Sequence, residues 1–186
     1  MHPVEGYDDV FIDISSNIVV KHNVSPKEAE MQQHLATAWG IAPKVYEYSH
    51  NTLQMEYCGA SLNDFFCESP CLTEEVIDVV LTNAIKAFLV FVALDLCHTD
   101  WHGGNILVDL STLKVTLIDF EFCVWSTQDT WEQDQAADWE LFERALRTAL
   151  LDILYPDWWD AEYEEDFMEL NCSIKQKIRD IYNSLV

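Results

Sequence analysis

The chain has 186 residues, 49% hydrophobic and 12% aromatic, enough for one ordinary core or two small lobes. Its 33 acidic and 10 basic residues leave a net charge of −23, a surface that repels phosphate backbones and argues against nucleic acid or an anionic membrane as a direct partner. It suits a basic partner protein or a cationic substrate, and it also aids solubility.

Five Gly and five Pro leave no room for a long flexible linker. The longest apolar run, residues 84–96, is broken by Lys86 and Asp95 and is short for a bilayer. The start, MHPVEGYDDVF, lacks the basic and apolar regions of a signal peptide. Six Cys at irregular spacing then read as reduced thiols of an intracellular, cytoplasmic protein. Neither Cys97, His98 and His102 nor Cys67 and Cys71 form a four-ligand zinc pattern.

Residues 10–14 and 17–21 read as two short strands around a Ser-Ser-Asn turn, the second ending in a cation, Lys21. Ser25-Pro26 is a helix start, hydroxyl as cap and Pro in the first turn, and Gly40 is a natural stop. Met31, Leu35, Ala38 and Trp39 define the apolar face of that helix. Glu28 shares the face and Glu30 does not, so Glu28 is the expected ion-pair partner of Lys21. Residues 44–48 and 52–56 read as two more strands joined by Ser49-His50-Asn51. A short helix from Ser61 leads to a loop around Pro70. A long, mostly buried helix over 73–96 follows, capped by Thr73. Two strands are expected at 106–109 and 115–118, then helices at 135–154, 161–170 and 174–185.

The segment at 97–122, CHTDWHGGNILVDLSTLKVTLIDFEF, carries the chemistry. Asp100 and Asn105 lie five residues apart on one loop, and Asp119 follows at the end of a strand pair. This spacing suits holding a hydroxyl nucleophile and one or two Mg²⁺ ions against a nucleotide's phosphates. Asp100 accepts or orients the attacking proton, and Asn105 and Asp119 supply hard oxygen ligands. Acid interleaved with Trp131, Trp139, Trp158 and Trp159 reads either as a recognition surface for a basic partner or as helix packing. Lys175, Lys177 and Arg179 form a local basic cluster that pairs with acid elsewhere in the chain or with a second copy.

These residues place the chain by resemblance. HTDWHGGNILV resembles the catalytic loop of the atypical small kinases: RIO kinases, the KEOPS-complex kinase, and aminoglycoside and choline phosphotransferases. LIDFEF is similar to their metal-binding element, with the DFE that choline kinases also carry. Residues 28–43 resemble the regulatory helix of the KEOPS-complex and RIO types, residues 53–66 the adenine-binding hinge, and DWELF at 138–142 the buried Asp helix of the large lobe. The resemblance spans residues 10–150 and implies an α+β, two-lobed protein-kinase-like fold. Residues 1–58 would form a reduced β-rich lobe, and residues 59–186 a helical lobe.

By position, the resemblance gives Lys21 to the α- and β-phosphates of ATP, oriented by Glu28. It gives the backbone of Glu56 and Cys58 to the adenine edge and Met55 to the back of the pocket. His98 braces the loop and Asp138 anchors it from below. His102 either reaches the γ-phosphate or fills space. Departures are plain: only Gly6 precedes Lys21, so no Gly-rich phosphate loop is present, and the first strand of the small lobe is expected to be missing or vestigial. Residues 123–136 are short for an activation segment, which removes the groove by which conventional kinases bind peptides. A small-molecule phosphotransferase taking a cationic substrate ranks third, because the chain after Asp119 is short for the substrate-binding helices such enzymes carry, and two expectations lead. One is an ATP- and Mg²⁺-dependent atypical Ser/Thr protein kinase acting on a protein or on itself. The other is a kinase-like module that binds a partner through its acidic surface or by mimicking a kinase lobe.

Overall fold

The computed structural model describes residues 2–4, 7–68, 72–127, 129–154 and 165–186. Gly6, Pro70, Cys71, Trp158, Trp159 and the first residues of the helix expected at 161–170 lie outside the described residues.

The N-terminal part is an antiparallel sheet of β1 (His2–Val4), β2 (Tyr7–Asp13), β3 (Ile18–Lys21), β5 (Thr52–Glu56) and β4 (Val45–Ser49), in that spatial order. Asp13 accepts from the Ser16 amide at 3.3 Å, and Asn17 takes φ 55° to turn the chain into β3. His50 and Asn51, at φ 50° and 59°, close the β4–β5 hairpin with a mirrored two-residue turn whose twist matches its strands. The outer strand, expected to be missing or vestigial, is present: three residues pair with β2, His2 opposite Ile12.

α1 (Pro26–His34) starts as its sequence dictates, with the Ser25 hydroxyl accepting from the Glu28 amide at 3.1 Å. Its last turn, Leu35–Trp39, widens into a π-helical turn before Gly40 at φ 67°. That widening corrects the apolar face read from the sequence. Met31 and Leu35 are buried, but Ala38 and Trp39 rotate out to solvent, and Gln32 takes an inward place. α1 serves two cores, Ala29 packing with Val19, Val24, Leu53 and Met55 under the sheet, and Met31 and Leu35 joining the larger helical core.

The helical part comprises α2 (Leu62–Glu68), α3 (Glu74–Ala93), α4 (Trp131–Leu154) and α5 (Glu165–Leu185), with three small strand pairings. β6 (Ala60–Ser61), β8 (Ile106–Val108) and β9 (Val115–Leu117) form one sheet, and β7 (Leu96–Cys97) pairs with β10 (Val124–Trp125). By length and composition α3 could cross a membrane, a longer apolar stretch than the run read at 84–96. One face of it, Val80, Leu81, Ala84, Ile85, Phe88 and Phe91, forms the centre of the core. Phe88 stacks on Phe142 of α4 with centroids 4.7 Å apart, and Trp101 closes on both.

α5 is one continuous helix where two were expected. Asn171, read as a break, accepts from Arg147 at 2.9 Å, while Phe167, Ile174 and Ile178 keep one buried face through it. The basic cluster on α5 is satisfied within the chain. Lys175 and Arg179 reach buried Glu143 at 3.6 and 2.9 Å, and Lys177 reaches Glu74 and Asp78 at 3.1 and 2.6 Å. Trp139 is a packing residue, its ring 4.2 Å from that of Tyr182. Trp131 is partly exposed and donates to Asp95 at 2.7 Å.

Candidate active site

The end of β3, the first turn of α1 and the end of β9 converge on one amine. Lys21 Nζ lies 2.7 Å from Glu28 Oε1 and 2.7 Å from Asp119 Oδ1. Ser-Pro-Lys-Glu at 25–28 has the sequence of a capping box, in which the Glu would reach back to the Ser25 amide. Here the Glu28 carboxylate turns instead to Lys21, and it is 3% exposed. Burial, the largest single influence, disfavours the Lys21 charge, but the hydrogen bonds that Lys21 donates to Asp119 and Glu28 outweigh it and hold the ammonium above its ordinary pKa. Burial pushes the Glu28 carboxyl up, and Lys21 offsets part of that rise. The Lys21–Glu28 pair was expected from the sequence. The direct Lys21–Asp119 contact was not, because nothing local couples positions 98 residues apart.

Asp119 reaches Lys21 from a left-handed backbone, φ 66°, a conformation that Asp tolerates better than most residues. The loop that carries Asp100 is held from three sides. Asp138 of α4, itself buried, accepts from two successive amides, His98 at 3.2 Å and Thr99 at 2.8 Å. His98 is fully buried and donates through Nε2 to Ile118 O at 2.9 Å. The Ile118 amide in turn donates to Asn105 O at 3.1 Å.

Asn105 Nδ2 donates to Asp100 O at 3.0 Å, which turns the Asn105 amide oxygen the other way. Asp119 Oδ1 is taken by Lys21, so its second oxygen and the Asn105 amide oxygen are hard donors of the kind Mg²⁺ requires. The residues present therefore fit a divalent ion. The Asp100 carboxylate is 43% exposed, its Oδ2 3.5 Å from Asn105 Nδ2 and 4.0 Å from His102 Nε2. His102 Nδ1 accepts from the Gly104 amide at 3.1 Å, so the ring's proton sits on Nε2 and faces Asp100. A Cβ at Gly103 would strike the Asn63 amide, which explains the glycine in this turn.

On the sheet side, Met55 is buried and accepts a contact from Gln32 Nε2 at 3.0 Å, a link from α1 that has no signature in the sequence. The Glu56 amide donates to Lys44 O and the Tyr57 amide to Asn17 O, which ties the crossing segment to its neighbours. The Cys58 thiol makes a weak contact to Glu56 O at 3.8 Å, and burial, aided by Glu56, pushes it up to about 11. The chain turns there through Gly59, φ 112°, where a Cβ would collide with Val108 O. Besides the Lys21–Asp119 pair, two bonds tie the two parts together across the site: Lys27 Nζ to Cys123 O at 2.8 Å and Leu117 N to Ile41 O at 2.7 Å.

Burial holds the His98 ring below its ordinary pKa of 6.5 in the folded chain, so below that pH the unfolded chain binds the extra proton. His98 therefore contributes stability that is complete above 6.5 and lost as pH falls toward the folded value. His98→Gln, which keeps a donor toward Ile118 O, should flatten the fall in urea midpoint between neutral and mildly acid pH. An unchanged slope would show that another group titrates.

A Lys–Glu pair on a small sheet, a crossing segment, and an Asp…Asn…Asp loop set on helices make up an α+β fold of the protein-kinase-like kind. Residues 22–131, more than half the chain, match the model of the APH phosphotransferase enzyme family, and the chain belongs to that family. The match begins one residue after Lys21 and ends before Asp138. Among solved structures, the kinase PK-1 of Cydia pomonella granulovirus is similar in fold, with a TM-score of 0.56 at 16% identity over 75% of this chain. The chain spans 60% of that kinase's length. No curated protein matches.

Proposed function

We propose that the chain transfers the γ-phosphoryl group of ATP to a hydroxyl of a polypeptide, as an atypical Ser/Thr protein kinase acting on a protein or on itself. The reading rests above all on Lys21, held at 2.7 Å by both Glu28 and Asp119 and so placed for phosphate oxygens. Residues 1–58 form the nucleotide-side lobe in this reading, and residues 59–186 the acceptor side. The purine lies against Met55 with its edge on the backbone of Glu56 and Cys58, displacing only a weak thiol contact. Asn105 and Asp119 would hold Mg²⁺, which would supply positive charge to offset that of the phosphates.

Asp100 orients the acceptor hydroxyl. As the new O–P bond forms, the bond from the γ-phosphorus to the bridging oxygen breaks, ADP leaves, and the hydroxyl proton passes to Asp100. His102, its Nε2–H toward Asp100, positions that carboxylate. A second reading, a kinase-like module that binds a basic partner, draws support from the three-residue outer strand and the net charge of −23.

Thermal unfolding with Mg²⁺-ATP separates the two. Nucleotide at ten times its dissociation constant adds about 1.4 kcal/mol, or roughly 3–6 °C for a domain of this size. Asp119→Asn should abolish the magnesium-dependent share of the shift. No shift for the wild-type chain at millimolar nucleotide would sink the enzyme reading in favour of the module.

A further inference from the structure

The segment after Asp119 leaves three large apolar side chains in solvent within four residues: Phe122 at 56% exposure, Val124 at 45% and Trp125 at 57%. Exposed apolar clusters of this kind mark contact sites. They stand beside the acceptor side of the site, because the Thr99 hydroxyl, next to Asp100, donates to Phe122 O at 2.9 Å.

The backbone here is open as well. Among the described residues β10 pairs only with β7, Val124 opposite Cys97 and Trp125 opposite Leu96, and the Ser126 amide donates to Asp95 O at 2.8 Å. In an antiparallel ladder bonded pairs alternate with non-bonded ones. The pairs at 126 and 124 are therefore the bonded ones, and Trp125 directs its N–H and C=O away from β7. The edge beside it carries acid: Glu121, Asp95 (which holds Trp131 Nε1), Asp129 and Glu132 are all exposed. Asp95, Asp129 and Glu132 line a groove of about 590 Å³ with Ser126, Thr130 and Trp131. Lys27 faces the same edge, with its amine already held on Cys123 O.

We propose that this ledge docks the acceptor, a basic, extended polypeptide segment that adds to β10 as a third strand and brings its hydroxyl to Asp100. The inference rests on the kinase reading for that last step, but the docking itself does not. Strand addition supplies backbone bonds at Trp125, and the exposed Phe122, Val124 and Trp125 offer apolar contact to side chains of the segment. The carboxylates select Lys and Arg and speed encounter. A peptide surface is thus restored where the shortened segment removed the conventional groove.

Fluorescence anisotropy tests it, using a labelled short peptide of alternating arginine and leucine around one serine, and the same peptide with glutamate for arginine. The arginine peptide should bind, weakening with salt, and the glutamate peptide should not. Phe122→Ala with Trp125→Ala should weaken binding by about tenfold or more. Trp125→Pro should weaken it beyond Trp125→Ala, since it deletes the outward N–H and leaves the β7 bonds intact. The nucleotide-dependent melting shift, recorded on each variant, reports folding and tests the kinase reading separately. If that shift is absent while the peptide results hold, the kinase reading fails and the ledge stands. Equal binding of both peptides, or variants that bind like the wild type, would overturn the ledge. So would a wild-type dimer, seen by sedimentation, that Trp125→Ala dissolves, because the occupant would then be a second copy.

Discussion

Asp100→Asn should lower phosphoryl transfer by about 10²–10⁴-fold while leaving nucleotide binding and stability nearly unchanged. The separation follows from how the residue is held. Its place on the loop is fixed through its backbone, with Asp100 O accepting from Asn105 Nδ2 at 3.0 Å, a bond the substitution leaves intact. Its carboxylate is half exposed and, among the described residues, pairs with no Lys or Arg, so little folding energy resides there. What is lost is the capacity to take a proton, together with the orientation of the hydroxyl through a carboxylate oxygen. Single-turnover transfer from radiolabelled ATP, set beside the nucleotide melting shift, reads both sides. A loss below about tenfold would take Asp100 out of the proton's path.

The parts of the site written in one stretch of chain are legible in the amino-acid sequence itself. Asp100, Asn105 and Asp119 fall within a single loop and strand pair, so their spacing alone brings them together. Lys21 and Glu28 are seven residues apart, across a strand end and a capped helix turn whose face is countable. The signals that failed were those that tertiary packing overrides. The π-helical turn at Leu35–Trp39 shifts the helix face by a part-turn that an even 3.6-residue count cannot foresee, and so it turns Ala38 and Trp39 outward. β1 has three residues and no alternation of its own, and β2 supplies its register. α5 reads as two helices because Asn171, Cys172 and Ser173 interrupt the apolar pattern, and only the partner on α4 shows why the helix continues. The open edge of β10 is invisible for the same reason. Two residues make no periodic signal, and their exposure depends on what fails to pack against them.

Asp138→Ala should cost about 3–5 kcal/mol of stability and, with it, most of the transfer activity. The carboxylate is buried between α4 and the loop that carries Asp100, and it satisfies the amides of both His98 and Thr99. Hydrogen bonds to a charged group contribute about 1.5–3 kcal/mol each, and truncation leaves two donors with nothing to bond. Thr99 adds to the effect. It is β-branched and sits at φ 66°, a conformation costing roughly 1–3 kcal/mol that the flanking bonds must hold in place. Release of the 98–99 peptide would let Thr99 relax toward extended backbone, carrying Asp100 away from Asn105. Asp138→Asn, which keeps one acceptor oxygen, should lose roughly half as much. Urea unfolding of the three proteins gives the ladder directly. A loss under about 1 kcal/mol for Asp138→Ala would mean that water replaces the carboxylate and that the loop is held by His98 and Asn105 alone.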